Sequence, residues 1–183
     1  MSDLHHEKHL ESYIVQKLAA SGWLVGTTDA YDADRAMYPE DLEAWLRSTQ
    51  PQKWDRIHAM NGEKTLTVVM DRLEAALEKQ GMVQTLRRGF SIAGAGHLDL
   101  SEAAPEDRRN DQVLHRYASN RLRVVPQLKY HPGRELAIDL GLFMNGLPLA
   151  TVELKTDFTQ SVEHAKAQYR RRSEERRVGK ECR

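Results

Sequence analysis

Two apolar runs, residues 136–144 and 147–154, flank the dipeptide Asn145-Gly146, and they constrain this 183-residue chain more than any other feature. An Asn-Gly pair between apolar runs is the strongest short-range signal for a β-hairpin, because both residues tolerate the positive φ angles of its tight turn. The pattern therefore predicts two antiparallel strands joined at residues 145–146.

Three ionisable residues lie near the open end of this hairpin: Asp139 in the first run, then Glu153 and Lys155 at the end of the second. Side chains two residues apart in a strand point to the same face, so Glu153 and Lys155 project together. A tight turn pairs Asp139 with about residue 152, which places Asp139 beside Glu153 on the neighbouring strand. Charges at such a position are costly to bury unless they are paired or bind a metal ion.

These groups suit the hydrolysis of a phosphodiester. The two carboxylates and the backbone carbonyl of Leu154 offer the hard oxygen ligands that Mg²⁺ prefers. The ion polarises the phosphate and lowers the pKa of a bound water, while Lys155 can orient that water or stabilise developing charge. A cross-strand ion pair on a half-exposed sheet is the alternative, since a spaced Asp, Glu-x-Lys pattern alone often arises by chance.

Helical spacing of apolar residues dominates the first half of the chain, and prolines or glycines mark the helix ends. The predicted helices run over 4–20, from Pro39, from Pro51, from Leu66 to near Gly81, over 111–120, and after Lys155. Residues 82–93 are weakly typical of a strand, and the alternating pattern of residues 121–130 predicts another strand. This order predicts an α/β fold with a helical N-terminal half and a sheet concentrated in the second half.

The net charge, the cysteine count and the apolar stretches limit which partners and ligands the chain can have. Lysine and arginine number 27, as do aspartate and glutamate, so the zero net charge argues against a strong general attraction to DNA. Any DNA contact must come from local basic patches or from a larger assembly. The single cysteine, Cys182, excludes an intramolecular disulfide and a Cys-based zinc site. No apolar stretch is long enough to span a bilayer, and the N-terminus lacks a secretory signal, so we expect a cytoplasmic protein without a membrane partner.

The segment 145–155, N-G-L-P-L-A-T-V-E-L-K, resembles the nuclease motif of the R (restriction) subunit of type I restriction-modification enzymes. Residues 85–89, residues 120–125 and the helical segment around Glu11 are also similar to that family. The resemblance extends over about residues 4–171. It implies the PD-(D/E)xK fold of RecB-like nucleases, in which helices flank a mixed central sheet.

The resemblance implies an endonuclease that cuts double-stranded DNA with Mg²⁺. Its catalytic residues would be Asp139, Glu153 and Lys155, and its metal ligands Asp139, Glu153 and the Leu154 carbonyl. Glu11 is a candidate additional metal ligand, and the alternative reading is an ordinary exposed helix acid.

Related nucleases carry a Q-x-x-x-Y element on the helix that follows the hairpin. Gln168 fits the glutamine position and is a further candidate catalytic residue, whereas the tyrosine position falls at Arg172. The alternative for Gln168 is a solvated helix residue.

In the family that the chain resembles, cleavage follows ATP-dependent translocation by later domains and needs the modification (M) and specificity (S) subunits. The sequence has no G-x-x-x-x-G-K-[ST] phosphate loop, so ATP is implied for the full-length enzyme only. Residues 172–183 resemble the translation of a sequencing adapter. We therefore expect residues 1–171 to form a truncated restriction endonuclease-like domain and residues 172–183 to be a non-native tail.

Two other functions stay open from the sequence. One is a stand-alone RecB-like DNA repair or phage nuclease, and helicase motifs further along the gene would argue against it. The other is a degenerate nuclease fold that acts as a DNA-binding or assembly module without catalysis. Binding of Mg²⁺ or Mn²⁺ would separate both nucleases from this last possibility.

Overall fold

The computed structural model describes residues 2–107, 109–131, 136–154 and 170. Within them the chain is a mixed α/β structure with a helical N-terminal half, as the sequence predicts. The elements follow in the order α1 (Ser2–Ala20), β1 (Leu24–Val25), α2 (Pro39–Thr49), α3 (Pro51–Asn61), α4 (Thr65–Gln80), α5 (Met82–Arg88), β2 (Phe90–Ile92), β3 (Gly96–Leu98), α6 (Asp111–Ala118), β4 (Leu122–Lys129), β5 (Ala137–Met144) and β6 (Leu147–Val152). No helix in these ranges is both long and apolar enough to cross a bilayer.

The prediction of a strand over residues 82–93 is wrong for its first half, which forms the short helix α5. Gly81 and Gly89 flank this helix with φ angles of 78° and 64°, which glycine adopts without steric cost. Thr85 is fully buried, and its N–H and hydroxyl both donate to the Gly81 carbonyl, at 3.0 and 2.8 Å. Met82 and Leu86, four residues apart, pack against the core from one side of the helix. The paired glycines were the signal for a helix in this segment.

The four strands of the main sheet lie in the order β1-β4-β5-β6. β1 runs parallel to β4, whereas the β4–β5 and β5–β6 pairs are antiparallel, so the sheet is mixed. β2 and β3 form a separate two-stranded hairpin. The arrangement is compatible with the nuclease fold that the sequence resemblance implies.

Two clusters of buried side chains connect the helices to the sheets. The larger packs residues of α2, α3 and α4 against β2 and β3, with Trp45 fully buried and Trp54 nearly so. The smaller contains Tyr38, Val125, Leu128 and Phe143 and lies against the main sheet. The rings of Tyr38 and Phe143 meet edge to face with centroids 5.5 Å apart, a geometry that aromatic pairs favour.

The predicted hairpin turn at Asn145-Gly146 is confirmed, and it is buried rather than exposed. Both residues have positive φ angles, 50° and 86°. The Asn145 side chain is fully buried, accepts a hydrogen bond from the Arg121 N–H (2.7 Å) and donates to the Leu100 carbonyl (2.9 Å). The Gly146 carbonyl accepts from the N–H of Tyr38, just before α2 (2.8 Å). The turn thus anchors the hairpin to α2 as well as reversing the chain.

We expect Gly146→Ala to lower the free energy of unfolding by more than the strain of its positive φ angle would account for. A Cβ at residue 146 would lie 2.6 Å from the Tyr38 carbonyl oxygen and 2.9 Å from the Leu42 nitrogen, both backbone atoms. The unfavourable φ costs about 1–2 kcal/mol, and the overpacking adds about 1–3 kcal/mol. Urea titration of Gly146→Ala against Gly96→Ala isolates the second contribution, because Gly96 has the same kind of φ (87°) and nothing within 4 Å of its Cβ position. If the two variants lose the same free energy of unfolding, close packing of the turn against Tyr38 and Leu42 is wrong.

Candidate active site

Asp139 of β5 and Glu153, the residue after β6, both lie one step beyond the last pair of the β5–β6 ladder, at the open end of the hairpin. Leu140 pairs with Val152 at the end of the β5–β6 ladder, and one further step of this register brings Asp139 and Glu153 together. Directly opposite residues of antiparallel strands point to the same face, with Cα atoms about 4.5–5.5 Å apart. Both side chains are half-buried. The register thus brings these two candidate catalytic residues to the same end of the hairpin.

A β-bulge in β6 creates this juxtaposition, which corrects the predicted pairing of Asp139 with residue 152. Next to the turn, Met144 pairs with Leu147 and Phe143 with Pro148, but Leu142 pairs with Ala150. Leu149 is the extra residue, and it is half exposed. Without this bulge, Val152 would lie opposite Asp139, and Glu153 would point to the other face of the sheet.

The sequence carried a signal for the bulge that the regular-hairpin reading missed. Pro148 has no N–H to donate to a ladder, so prolines in strands are found at sheet edges and at bulges. β6 ends the order of the described sheet, and its irregularity lies directly after Pro148. A proline two residues past the Asn-Gly turn should therefore have shifted the expected register.

A short hydrogen bond fixes the Asp139 carboxylate beside the chain that follows β6. The N–H of Leu154 donates to Asp139 Oδ2 at 2.6 Å. Leu154 itself is buried, with 8% of its surface exposed, so the backbone at this point is held in place by its side chain. The carbonyl of the same residue is the predicted third oxygen ligand. Asp139, Glu153 and Leu154 thus meet at one end of the hairpin.

Glu11 of α1 approaches the same end of the sheet through β4. Its carboxylate accepts a hydrogen bond from the side-chain amide of Gln127. On either side of Gln127, Pro126 pairs with Leu140 and Leu128 with Ile138, so Gln127 lies in the part of β4 beside residues 138–140 of β5. This hydrogen bond joins α1 to β4, but the structure does not group Glu11 with Asp139 and Glu153 as a set that could hold a metal ion.

The remaining candidates are not brought together by the described structure. Lys155, Gln168 and the predicted helix after Lys155 lie outside the described residues. In the ranges that are described, no three or more His, Cys, Asp or Glu residues are grouped so that they could hold a metal ion. The metal-binding roles of Asp139, Glu153, Leu154 and Glu11 therefore stay predictions.

The donor set that is present suits a hydrated hard cation. Two carboxylates on opposed strands and a nearby carbonyl are all oxygen donors, and Mg²⁺ is commonly held by one or two carboxylates while it keeps several waters. The 2.6 Å bond from Leu154 to Asp139 orients one of these carboxylates before any ion arrives. The site therefore fits Mg²⁺ in ligand chemistry.

Comparison with known families identifies the family of the chain. The family model described as Type I restriction enzyme R protein N terminus matches residues 5–181. The matched range extends into residues 172–183, whose origin in an adapter stays a prediction. Neither the curated proteins nor the solved structures that were compared with the chain gave a match. Because the family match spans nearly the whole sequence, this chain belongs to the family of type I restriction enzyme R protein N termini.

Proposed function

We propose that the chain is the nuclease module of a type I restriction R subunit and cleaves double-stranded DNA with Mg²⁺. The observation that carries this proposal is the bulged register of β5 and β6, whose next step after the Leu140–Val152 pair would set Asp139 opposite Glu153. A regular hairpin of the same sequence would separate them. Membership of the R protein family supports this function over that of a stand-alone repair or phage nuclease.

Asp139, Glu153 and the Leu154 carbonyl would hold the ion. Bound Mg²⁺ supplies charge stabilisation at the phosphate and a water of lowered pKa. The Leu154 N–H keeps Asp139 Oδ2 directed at the hairpin end, which limits the side-chain ordering needed on binding. Lys155, two residues beyond Glu153 in the sequence, would orient the attacking water or stabilise the developing negative charge.

Glu11 would add a further carboxylate to this site, and Gln168 a further catalytic amide. The partners would be double-stranded DNA and the M and S subunits of a restriction complex in the cytoplasm. ATP would act on translocase domains of the full-length enzyme and not on this chain.

The experiment that tests the proposal is calorimetric titration of the 183-residue protein with Mn²⁺ and Mg²⁺. We expect Asp139→Asn and Glu153→Gln each to weaken binding at least about tenfold, since changes even to outer-shell partners of a metal site cost 10–100-fold. Asp55→Asn is the matched control, because Asp55 is an exposed acid of α3 away from the hairpin. Unfolding in urea would show that each variant keeps its fold.

Two outcomes would overturn the nuclease reading. One is that neither ion binds the unaltered protein, which would leave a DNA-binding or assembly module without catalysis as the better account. The other is that both variants bind the ions as tightly as Asp55→Asn does, because the opposed carboxylates would then have no part in metal binding.

A further inference from the structure

The Asp139 carboxylate is held by the backbone just beyond the end of the β5–β6 ladder. The last pair of that ladder is Leu140 with Val152, so Leu154 lies two residues past it. The Leu154 N–H donates to Asp139 Oδ2 at 2.6 Å, a short distance of the kind expected for a charged acceptor. Only 8% of Leu154 is exposed, so packing of its side chain keeps the N–H in place. One of the two carboxylate oxygens of Asp139 is therefore already engaged within the protein.

This hydrogen bond limits how the carboxylate can turn toward an ion. A carboxylate binds a cation either through one oxygen or by chelation through both. Chelation requires the carboxylate to rotate until both oxygens face the ion. At Asp139 the Leu154 N–H sets the rotation instead, because it holds Oδ2. Hydrogen bonds to ionised groups are about twice as strong as neutral ones, so an ion gains less by displacing this one.

Divalent cations differ in what they gain from chelation. Ca²⁺ takes about six to eight oxygen ligands in flexible geometry, and carboxylates bind it through one oxygen or through both. Mg²⁺ is smaller, requires a nearly ideal octahedron and keeps several waters, so it suits single oxygens better than the narrow bite of a chelating carboxylate. Mn²⁺ occupies the same octahedral oxygen sites. A carboxylate restricted to one oxygen therefore disfavours Ca²⁺ more than Mg²⁺ or Mn²⁺.

We propose that the Leu154 N–H sets the metal preference of the site, because it restricts Asp139 to binding an ion through Oδ1 alone. This inference rests on the proposed function, in which Asp139 and Glu153 hold Mg²⁺. Leu154 acts here through Asp139 and is therefore a positioning residue. Its N–H favours an octahedral ion, whereas its carbonyl is a candidate ligand of that ion.

The test is the ratio of Mn²⁺ affinity to Ca²⁺ affinity, measured by calorimetric titration of the 183-residue protein. Replacing the Leu154 N–H by an ester oxygen removes the hydrogen bond and keeps the leucine side chain. We expect this ester variant to lower the ratio at least about tenfold, the smaller effect of losing an outer-shell partner. The same replacement at Val113 of α6 is the matched control and should leave the ratio unchanged. The Val113 N–H also donates to a side-chain oxygen, Asn110 Oδ1, at 3.3 Å.

Two genetic variants separate the N–H of Leu154 from its side chain. Leu154→Pro removes the N–H, because proline has none, whereas Leu154→Ala keeps the N–H and loses the buried side chain. A hairpin end that is merely loosened should bind both ions more weakly and keep their ratio. We therefore expect the ratio to fall in Leu154→Pro and not in Leu154→Ala. Equal falls in the two variants would show that side-chain packing sets the preference instead.

The outcomes separate this inference from the function on which it rests. If Asp139→Asn weakens Mn²⁺ binding but the Leu154 ester keeps the full ratio, the role of the N–H is wrong and the metal site stands. The same holds if the unaltered protein binds Ca²⁺ as tightly as Mn²⁺, because there is then no preference to explain. If neither ion binds the unaltered protein, the proposed site and its metal preference fail together.

Discussion

On the proposed function, insertion of one alanine between Val152 and Glu153 should weaken Mn²⁺ binding by about a hundredfold. The ladder from Met144–Leu147 to Leu140–Val152 would be unchanged, because the insertion comes after its last pair. The new alanine would lie opposite Asp139, and Glu153 would move one position along and turn to the other face. The loss should reach the upper end of the 10–100-fold range for altered metal sites, because a ligand itself is displaced.

Deletion of Leu149 is the control for this insertion, and it should leave the site almost intact. Leu149 is the unpaired residue of the bulge, so its removal lets Pro148 and Ala150 continue one regular ladder with Phe143 and Leu142. Leu140 still pairs with Val152 in that ladder. If Mn²⁺ binding survives the deletion but not the insertion, the register at Asp139 and Glu153 is what metal binding requires. Metal binding that survives the insertion would contradict the pairing of Asp139 with Glu153.

Local patterns were sufficient for the elements that depend on nearby residues. Pro39 and Pro51 open α2 and α3 at the first helical positions, as their fixed φ angles favour. The two apolar runs around Asn145-Gly146 form the predicted hairpin, because Asn-Gly favours the positive φ angles that its turn adopts. The candidate pair Asp139 and Glu153 followed from that hairpin to within one residue.

The features that were missed depend on contacts between distant parts of the chain. Gln127 of β4 adopts a positive φ angle of 48° between Thr28 and Glu11, about a hundred residues earlier. Nothing in the local sequence around Gln127 indicates such a conformation, since glutamine has no preference for it. The position of Gln127 beside residues 138–140 likewise emerges only when β4 joins the sheet next to β5. Tertiary contacts, rather than intrinsic propensity, decide these details.

A second large effect is expected far from the hairpin end, at Asp41 in the first turn of α2. This carboxylate is fully buried and accepts hydrogen bonds from Arg123 of β4 and from Arg121, the residue before β4. Arg121 Nε donates to Oδ1 at 2.7 Å, and Arg123 donates to Oδ2 at 2.6 Å and to Oδ1 at 2.8 Å. The hydrogen bond with Asp41 raises the pKa of Arg123 above its usual value although the guanidinium is buried. The helix and the sheet are therefore joined by a charged cluster with little access to water.

Asp41→Ala should lower the free energy of unfolding by about 3–5 kcal/mol, because it leaves buried positive charge without its partner. Glu40→Ala is the matched control. Glu40 also pairs with Arg123, but its side chain is 55% exposed, so its removal should cost no more than about 1 kcal/mol. The two variants delete neighbouring acids that contact the same arginine and differ mainly in burial.

The free energies of unfolding of the two variants, measured in urea, decide whether burial makes the Asp41 ion pairs stronger than that of Glu40. The same end of α2 carries the Tyr38 N–H that binds the Gly146 carbonyl, so a loosened helix start would also release the hairpin turn. We therefore expect Asp41→Ala to weaken Mn²⁺ binding in proportion to the fraction of protein that it unfolds, and not beyond it. If Asp41→Ala and Glu40→Ala lower the free energy of unfolding equally, Arg121 and Arg123 find other partners when Asp41 is removed. The ion pairs of Asp41 would then not hold α2 to the sheet.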